Sequence, residues 1–462
     1  PLVIHFLVLI EIKYIILIRI IMGIKNFRTN LIKTFPGIVS HKKPNNIHTL
    51  CIDGNGILHK ICHRTKNKEG FKKNLIGMLK KIIKKNKPSF VAIFIDGQAI
   101  LAKANTQIKR RNKYLYAKSS GISSLNLTPG TPFMDFVDET ITEYLNTLNI
   151  KHYYSSSKEN NEGELKIFEW LLKNNIQSTV CIVGNDADLI VLALASRPLL
   201  NVYIYNEENY LSLFKLIHNL AQKYSSKKFS YNWHPIRMDF VLLSLFQGND
   251  YNSRLSQFNN LLSSYNKLQK KKKGFLINKT GMLNLINIKK LFNNINTIDT
   301  IIYTQSDVNE YFKAIQWNLN LYQGKINNRF IPNYNNININ SVIEYFPNSI
   351  EPINENINWV KQEAFTLLLM PITGREYLPQ HLKHYLNKES PVKDLFPDPC
   401  LECISWKQKL KEIARPCDDA SKDEIDNYKK LISTTNVAYN KHIKENHIIN
   451  ELPIERLENL FI

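Results

Sequence analysis

Several acidic residues fall where a folded chain can bring them together. Residues 47–53 (IHTLCID) and 89–96 (SFVAIFID) are apolar, β-prone runs that end on Asp53 and Asp96, each followed by glycine. A third run, Val180–Val183, breaks at Gly184 and Asn185, presents Asp186 and Asp188, and resumes as an apolar segment. Glu162 and Glu164 open the helical pattern LKIFEWLLKN. In an open parallel sheet, ligands bind in the crevice beyond the carboxyl ends of the strands. Carboxylates crowded there repel one another unless cations sit between them, so the set reads as a divalent-metal site. The plainer alternative is that Asp186 caps the next helix and Asp188 is a solvated first-turn acid. Repetition of the pattern at three strand ends weighs against it.

A second group is basic. Lys103, Gln107, Arg110 and Arg111 lie at i, i+4, i+7 and i+8, which on a helix is one face. Two guanidiniums can fork onto phosphate oxygens, while an ammonium adds charge and an amide a donor. A solvated basic face is the alternative.

The elements that must position these residues are strands alternating with helices. Residues 66–87 form a lysine-rich amphipathic helix with a solvated outer face, residues 128–132 turn into another helix, and Val202–Tyr205 is a further strand. Asp239 is expected to cap the helix leading to Gly248, Asn249 and Asp250. The chain has 462 residues, enough for two domains or one core with a large annex. Its 61 Lys and Arg against 40 Asp and Glu give +21, a charge that favours a polyanion, nucleic acid before anionic membrane. An Asn-, Ile- and Lys-heavy composition accounts for part of that excess. Six cysteines in so long a chain are no disulfide framework and point to a reducing compartment. Cys400-x-x-Cys403 with Cys417 offers three zinc ligands but no convincing fourth nearby, so a structural zinc is not expected. Residues 1–21 are strongly apolar, yet Glu11, Lys13 and Arg19 interrupt them, and they read as upstream sequence or an extension rather than a membrane anchor.

Taken together, IDGNGILHKICH (52–63), AKANTQIKRR (102–111), NEGELKI (161–167), GNDADLIVLAL (184–194) and FQGND (246–250) resemble the XRN-type 5'→3' exoribonucleases, in the family's order and at family-like spacing. Residues 22–27 look like that family's start. A fainter second region covers 299–415, with YFKAIQWNLNLY (311–322) and residues 376–379 and 390–394.

The resemblance implies an α/β nuclease core of the PIN or flap-nuclease type, with a mostly parallel sheet, helices on both faces, and a mainly helical second region. It divides the chain into an extension (1–21), a nuclease core (22–255), a basic Asn/Lys-rich link (256–298), the second region (299–415) and a charged helical tail (416–462). It adds Asp250 to Asp53, Asp96, Glu162, Glu164, Asp186 and Asp188 as ligands of two Mg2+ or Mn2+ ions. It makes Lys103, Gln107, Arg110 and Arg111 the pocket for a 5'-monophosphate, and His59 the residue that stacks on the first base. Where the family has a Trp- and Tyr-rich segment, this chain has Asn327 to Pro332, with Phe330 as the substitute.

The implied activity is hydrolysis of single-stranded RNA to mononucleotides in RNA decay, with no organic cofactor and possible RNA-decay proteins as partners. An intracellular site, the cytoplasm before the nucleus, is expected. The alternatives are a structure-specific DNA flap nuclease and a catalytically dead RNA-binding scaffold.

Overall fold

The apolar runs become strands of one sheet in the computed structural model, which describes residues 27–112, 121–196, 201–224, 233–256, 258–271, 274–295, 303–334, 337–396, 400–413, 421–446 and 452–461. The strands are β1 (Val39–Ser40), β2 (Thr49–Asp53), β3 (Phe90–Phe94), β4 (Lys151–Ser155), β5 (Val180–Val183), β6 (Val202–Tyr205) and β7 (Tyr210–Ser212). They lie in the order β1-β7-β6-β5-β2-β3-β4. From β6 to β4 every pairing is parallel, while β7 and β1 add an antiparallel edge. In register, Asp53 faces Phe94 and Ile52 faces Val183, so β2, β3 and β5 end at one level.

Side chains alternate across the sheet with the period of two that a strand imposes. Cys51, Ala92, Phe94, Val180, Ile182, Ile204 and Leu211 share one core with the helices Gly163–Lys173, Asp188–Ala195, Leu213–Tyr224 and Trp233–Phe246. Leu50, Ile52, Val91 and Ile93 are equally buried on the other side. There Asn86, the last residue of the helix Lys68–Asn86, accepts hydrogen bonds from Tyr210 (3.1 Å) and Cys181 (3.8 Å). The fold is thus α/β with helices on both faces, as expected.

The chain divides into two compact units, neither continuous in sequence: residues 1–60, 72–103 and 140–359, and residues 61–71, 104–139 and 360–462. The expected boundaries at 255 and 298 fall inside the first unit. Within 256–298, the helices Phe258–Lys270 and Leu285–Phe292 send Leu261, Tyr265, Leu268, Ile288, Leu291 and Phe292 into the core. Asn259, Asn260, Lys267, Lys270 and Lys289 are exposed on the outer face, while Asn287 is buried, so the stretch is polar in composition without losing the helical period. The helix Gln305–Tyr322, which opens on a Thr304–Asp307 capping box, also belongs to this unit.

Within the second unit, the turn before the helix Pro132–Asn146 places Gly130 at φ +86, where an added Cβ would collide with Thr366. The Thr366 hydroxyl donates to Pro129 O at 2.8 Å, locking that turn to the helix Gln362–Leu369. The helices Leu401–Glu412 and Lys422–Asn446 pack together in the same unit. Residues 1–21 and Cys417 lie outside the described residues. Among the described residues no helix is long and apolar enough to cross a membrane.

Asp239 corrects the capping expectation. It sits in the middle of the helix Trp233–Phe246, fully buried, and accepts from Leu276 N (2.8 Å), Ile277 N (3.1 Å) and the Tyr265 hydroxyl (2.8 Å). Burial pushes its carboxyl up to about 8, although all three donors pull the other way. Asp239→Ala is expected to cost roughly 2–4 kcal/mol in urea unfolding, because it strands two backbone N–H groups and a hydroxyl. Asp239→Asn keeps one oxygen for both N–H groups and should cost less than half of that. An alanine variant as stable as wild type would refute this anchoring role.

Candidate active site

The crossovers β2→β3→β4 run one way along the sheet and β5→β6 the other, so the topological switch point lies between β2 and β5. A crevice opens there. Asp53 ends β2, Asp96 lies two residues beyond β3, and Asp186 lies three beyond β5. The helix Gly163–Lys173 brings Glu162, its N-cap, and Glu164, in its first turn.

Local structure fixes each of these acids. Asn55 clamps two strand ends, since its N–H donates to Asp53 Oδ1 (3.4 Å) and its Oδ1 accepts from Asp96 N (3.0 Å). Gly163 N donates to Asp96 Oδ1 at 2.7 Å, and a Cβ on Gly163 would lie 3.2 Å from carboxylate oxygens of both Asp53 and Asp96. A side chain at this helix terminus would require both carboxylates to give by a few tenths of an ångström. Asn161, at φ 86, accepts from Glu162 N at 3.0 Å and donates to Glu169 at 2.6 Å. Lys166 donates to Ile95 O and Ser156 O, both at 2.8 Å, tying the ends of β3 and β4 together.

Asp186 Oδ1 accepts from Asp188 N at 3.1 Å, so Asp186 does serve the helix start. Asp188 is not a solvated acid: it is 2 % exposed, and its Oδ1 has no hydrogen-bond partner among the described residues.

Lys103 overturns one expectation. Instead of standing on the exposed face of a helix, it ends a 3-10 turn, Leu101–Lys103, and is buried. Its ammonium pairs with Glu162 Oε1 (2.5 Å) and Asp250 Oδ2 (3.0 Å). The regular helix begins only at Ala104, so the phase that placed Lys103 with Gln107, Arg110 and Arg111 does not extend back to it. Tyr251, which spacing did not single out, donates to Glu162 Oε2 at 2.9 Å. Asn249 holds the loop through Asn318 (2.7 Å) and Tyr322 (3.2 Å). Asn249 lay within FQGND without an assigned role, and proximity in sequence to Asp250 was the signal for Tyr251. Lys166 lay within NEGELKI without an assigned role.

The carboxylates act on one another. Burial first, then Asp96, Asp186 and Glu162, push Asp53 up to about 8. Asp96 rises to about 6 through burial and Glu162, against the pull of Gly163 N–H, Lys103 and Lys166. Glu164 and Asp188 are held well above the usual carboxylate range by burial and by Asp186, and Asp250 also acts on Asp188. Burial opposes the charge of Lys103, yet Glu162 and Asp250 raise it well above the ordinary lysine value. A crowded, oxygen-only donor set with an orphaned buried carboxylate oxygen fits hard divalent cations such as Mg2+ or Mn2+.

The remaining expected residues lie elsewhere. His59 is half-buried on the helix Asn55–Cys62, beside Lys60, which pairs with Glu207 at 3.0 Å. Phe330 stacks on buried Trp317, with ring centroids 5.0 Å apart, so one of its faces is taken. In the second unit, Gln107, Arg110 and Arg111 share the helix Ala104–Asn112. Arg111 Nε donates to Thr128 Oγ1 at 2.9 Å, and Gln107 Oε1 is buried without a partner among the described residues.

Comparison with known proteins gives the same segment a family likeness. The family model described as XRN 5'-3' exonuclease N-terminus matches residues 22–120 and 115–208. The 5'-3' exoribonuclease 1 of Schizosaccharomyces pombe is 25 % identical over 358 residues, 63 % of this chain and 27 % of that protein. The human 5'-3' exoribonuclease 1 is 24 % identical over 382 residues, 67 % of this chain and 22 % of that one. The chain thus matches about a quarter of the length of these curated relatives. Among solved structures, the catalytic core of Rad2 in complex with DNA substrate aligns at TM-score 0.36 and 14 % identity, over 59 % of this chain and 73 % of that one. The T5 D15 protein co-crystallized with metal ions aligns at TM-score 0.32 and 9 % identity, over 75 % and 98 %.

The raised carboxyls make stability depend on pH in a defined sense. Asp53 and Asp96 bind protons more tightly in the folded chain than in the unfolded one, where an aspartate titrates near about 4. Their contribution is therefore complete below about pH 4 and is lost as pH rises through about 6 and about 8. In EDTA the melting temperature should fall between about pH 6 and pH 8.5, and Mn2+ or Mg2+ should restore it by more at the higher pH. A cation-induced shift of equal size at both values would contradict the reading.

Proposed function

We propose, from the likeness of residues 22–208 to the XRN 5'-3' exonuclease N-terminus, that the chain is a 5'→3' exoribonuclease acting on single-stranded RNA with a 5'-monophosphate end. The observation that carries the reading is the mutual electrostatic interaction of Asp53, Asp96, Glu162, Glu164, Asp186, Asp188 and Asp250 beside the switch point, with Asp188 Oδ1 unpartnered among the described residues. These residues would hold two divalent cations, Mg2+ or Mn2+. Cations held there would supply the acidification of a water and the neutralisation of charge on a leaving 3'-oxygen.

The chain's own contribution is positioning. Lys103 and Tyr251 hold Glu162 from two sides, Lys103 also holds Asp250, and Gly163 N–H with Asn55 fixes Asp96. Lys103, Gln107, Arg110 and Arg111 recognise the terminal phosphate, and Lys103 also pairs with Glu162 and Asp250. His59 stacks on the first base, and Phe330, backed by Trp317, supports a base in place of the family's aromatic segment. The enzyme works in RNA decay in a reducing compartment, the cytoplasm.

End-labelled RNA and DNA with 5'-phosphate or 5'-hydroxyl ends, digested in Mg2+, test substrate and polarity together. Asp188→Asn and Asp186→Ala should each slow cleavage by more than about tenfold while RNA affinity stays within a few-fold, since phosphate contacts dominate binding. Retention of near wild-type rates by both would remove the metal-ligand assignment.

Selectivity for the RNA end is a separate expectation. Charge-assisted hydrogen bonds contribute on the order of 1.5–3 kcal/mol each, so two lost together imply a preference for 5'-monophosphate of roughly a hundredfold. Arg110→Ala with Gln107→Ala should bring 5'-monophosphate RNA close to the 5'-hydroxyl rate and leave the latter nearly unchanged. Equal wild-type rates on both substrates would assign the basic face to the surface.

A further inference from the structure

Cys400, Cys403 and His442 come together in the second unit, with His442 far from the two cysteines in sequence and all three outside every role assigned above. Their ligand atoms all lie within 4.8 Å of one another. Cys400 caps the helix Leu401–Glu412, its sulfur accepting from Cys403 N at 3.4 Å, so the Cys-x-x-Cys spacing turns both sulfurs to one side of the helix start. His442 comes from the facing helix Lys422–Asn446, with Nε2 3.4 Å from Cys400 Sγ. Zinc–sulfur and zinc–nitrogen bonds of ordinary length, set at a tetrahedral angle, separate S from N by roughly 3.6 Å. The observed spacing is within a few tenths of an ångström of that.

Two further features suit a metal better than a packing contact. His442 Nδ1 lies 3.2 Å from Glu402 Oε2, which fixes the proton on Nδ1 and leaves the Nε2 lone pair facing the sulfurs. A carboxylate behind a ligating imidazole is the usual outer partner of a zinc-bound histidine. Cys403 and His442 are only 5 % and 7 % exposed, in an otherwise highly exposed pair of helices. Neither Cys400 nor Cys403 forms a disulfide.

We propose that Cys400, Cys403 and His442 bind one Zn2+, which staples the helix Leu401–Glu412 to the helix Lys422–Asn446. Two thiolates and an imidazole select zinc over the hard cations that suit the acid cluster. The two thiols release their protons on binding, and the fourth corner of the tetrahedron goes to water or to a ligand outside these three. The sequence alone offered no His442, because it lies on another helix well beyond any zinc-finger spacing from Cys403.

The test is metal analysis of the full chain, purified in reductant without chelator. About one zinc per chain is expected, and Cys403→Ser and His442→Ala should each reduce it by at least about tenfold. Asp188→Asn should keep it, which separates this site from the acid cluster. Cobalt exchanged into wild type should give a sulfur-to-cobalt charge-transfer band, a readout that holds even if a variant fails to fold. A reduced wild-type chain that takes up neither zinc nor cobalt, or that binds cobalt without the thiolate band, overturns the proposal, as does loss of zinc in Asp188→Asn.

Discussion

Mutual repulsion among carboxylates held at one sheet edge is the constraint to which the rest of the first unit answers. Seven acids act on one another there, and among the described residues Lys103 and Lys166 place positive charge against them. The arrangement persists because strands β2, β3 and β5 end at one level, backbone N–H groups hold Asp53, Asp96 and Asp186, and the Lys103 and Tyr251 side chains hold Glu162 and Asp250. Gly163 brings a helix N-terminus, with its partial positive charge, against Asp53 and Asp96. Asn55 joins the β2 and β3 loops through a single side chain. The surrounding residues read as supports for a charge density that the fold alone would not tolerate.

Strand ends were the most legible part of the chain. Runs such as TLCID and VCIV are short, apolar and stopped by Gly or Asp, and the burial of their side chains on both faces leaves little else for them to be. β4, KHYYS, was not singled out because as an edge strand it mixes charged and aromatic side chains. Its place beside β3 nevertheless sets where Glu162 begins.

Helical phase and long-range partners were less legible. Lys103 fits the face of Gln107, Arg110 and Arg111 only if one regular helix runs through it, and a 3-10 turn ending at Lys103 breaks that register. Asp239 looked like a cap because acids favour helix starts, whereas three donors, two of them from the loop near residue 276, compensate its place in mid-helix. The Asn/Lys-rich composition of 256–298 hid two amphipathic helices. In each case the deciding partner lies outside the window in which periodicity operates.

The bonds from Leu276 and Ile277 to Asp239 reach across 37 and 38 residues of chain. They set an order of assembly. As the polypeptide leaves the ribosome, all seven acids have emerged by Asp250, yet the helix that leads to Asp250 still carries a buried carboxylate with no donors. A fragment ending near residue 255 would therefore carry all seven acids while Asp239 still lacked its three donors. Any piece in which Asp239 is satisfied must extend past Ile277, so that helix is completed by a hydrogen-bonded hook lying beyond the last of the acids.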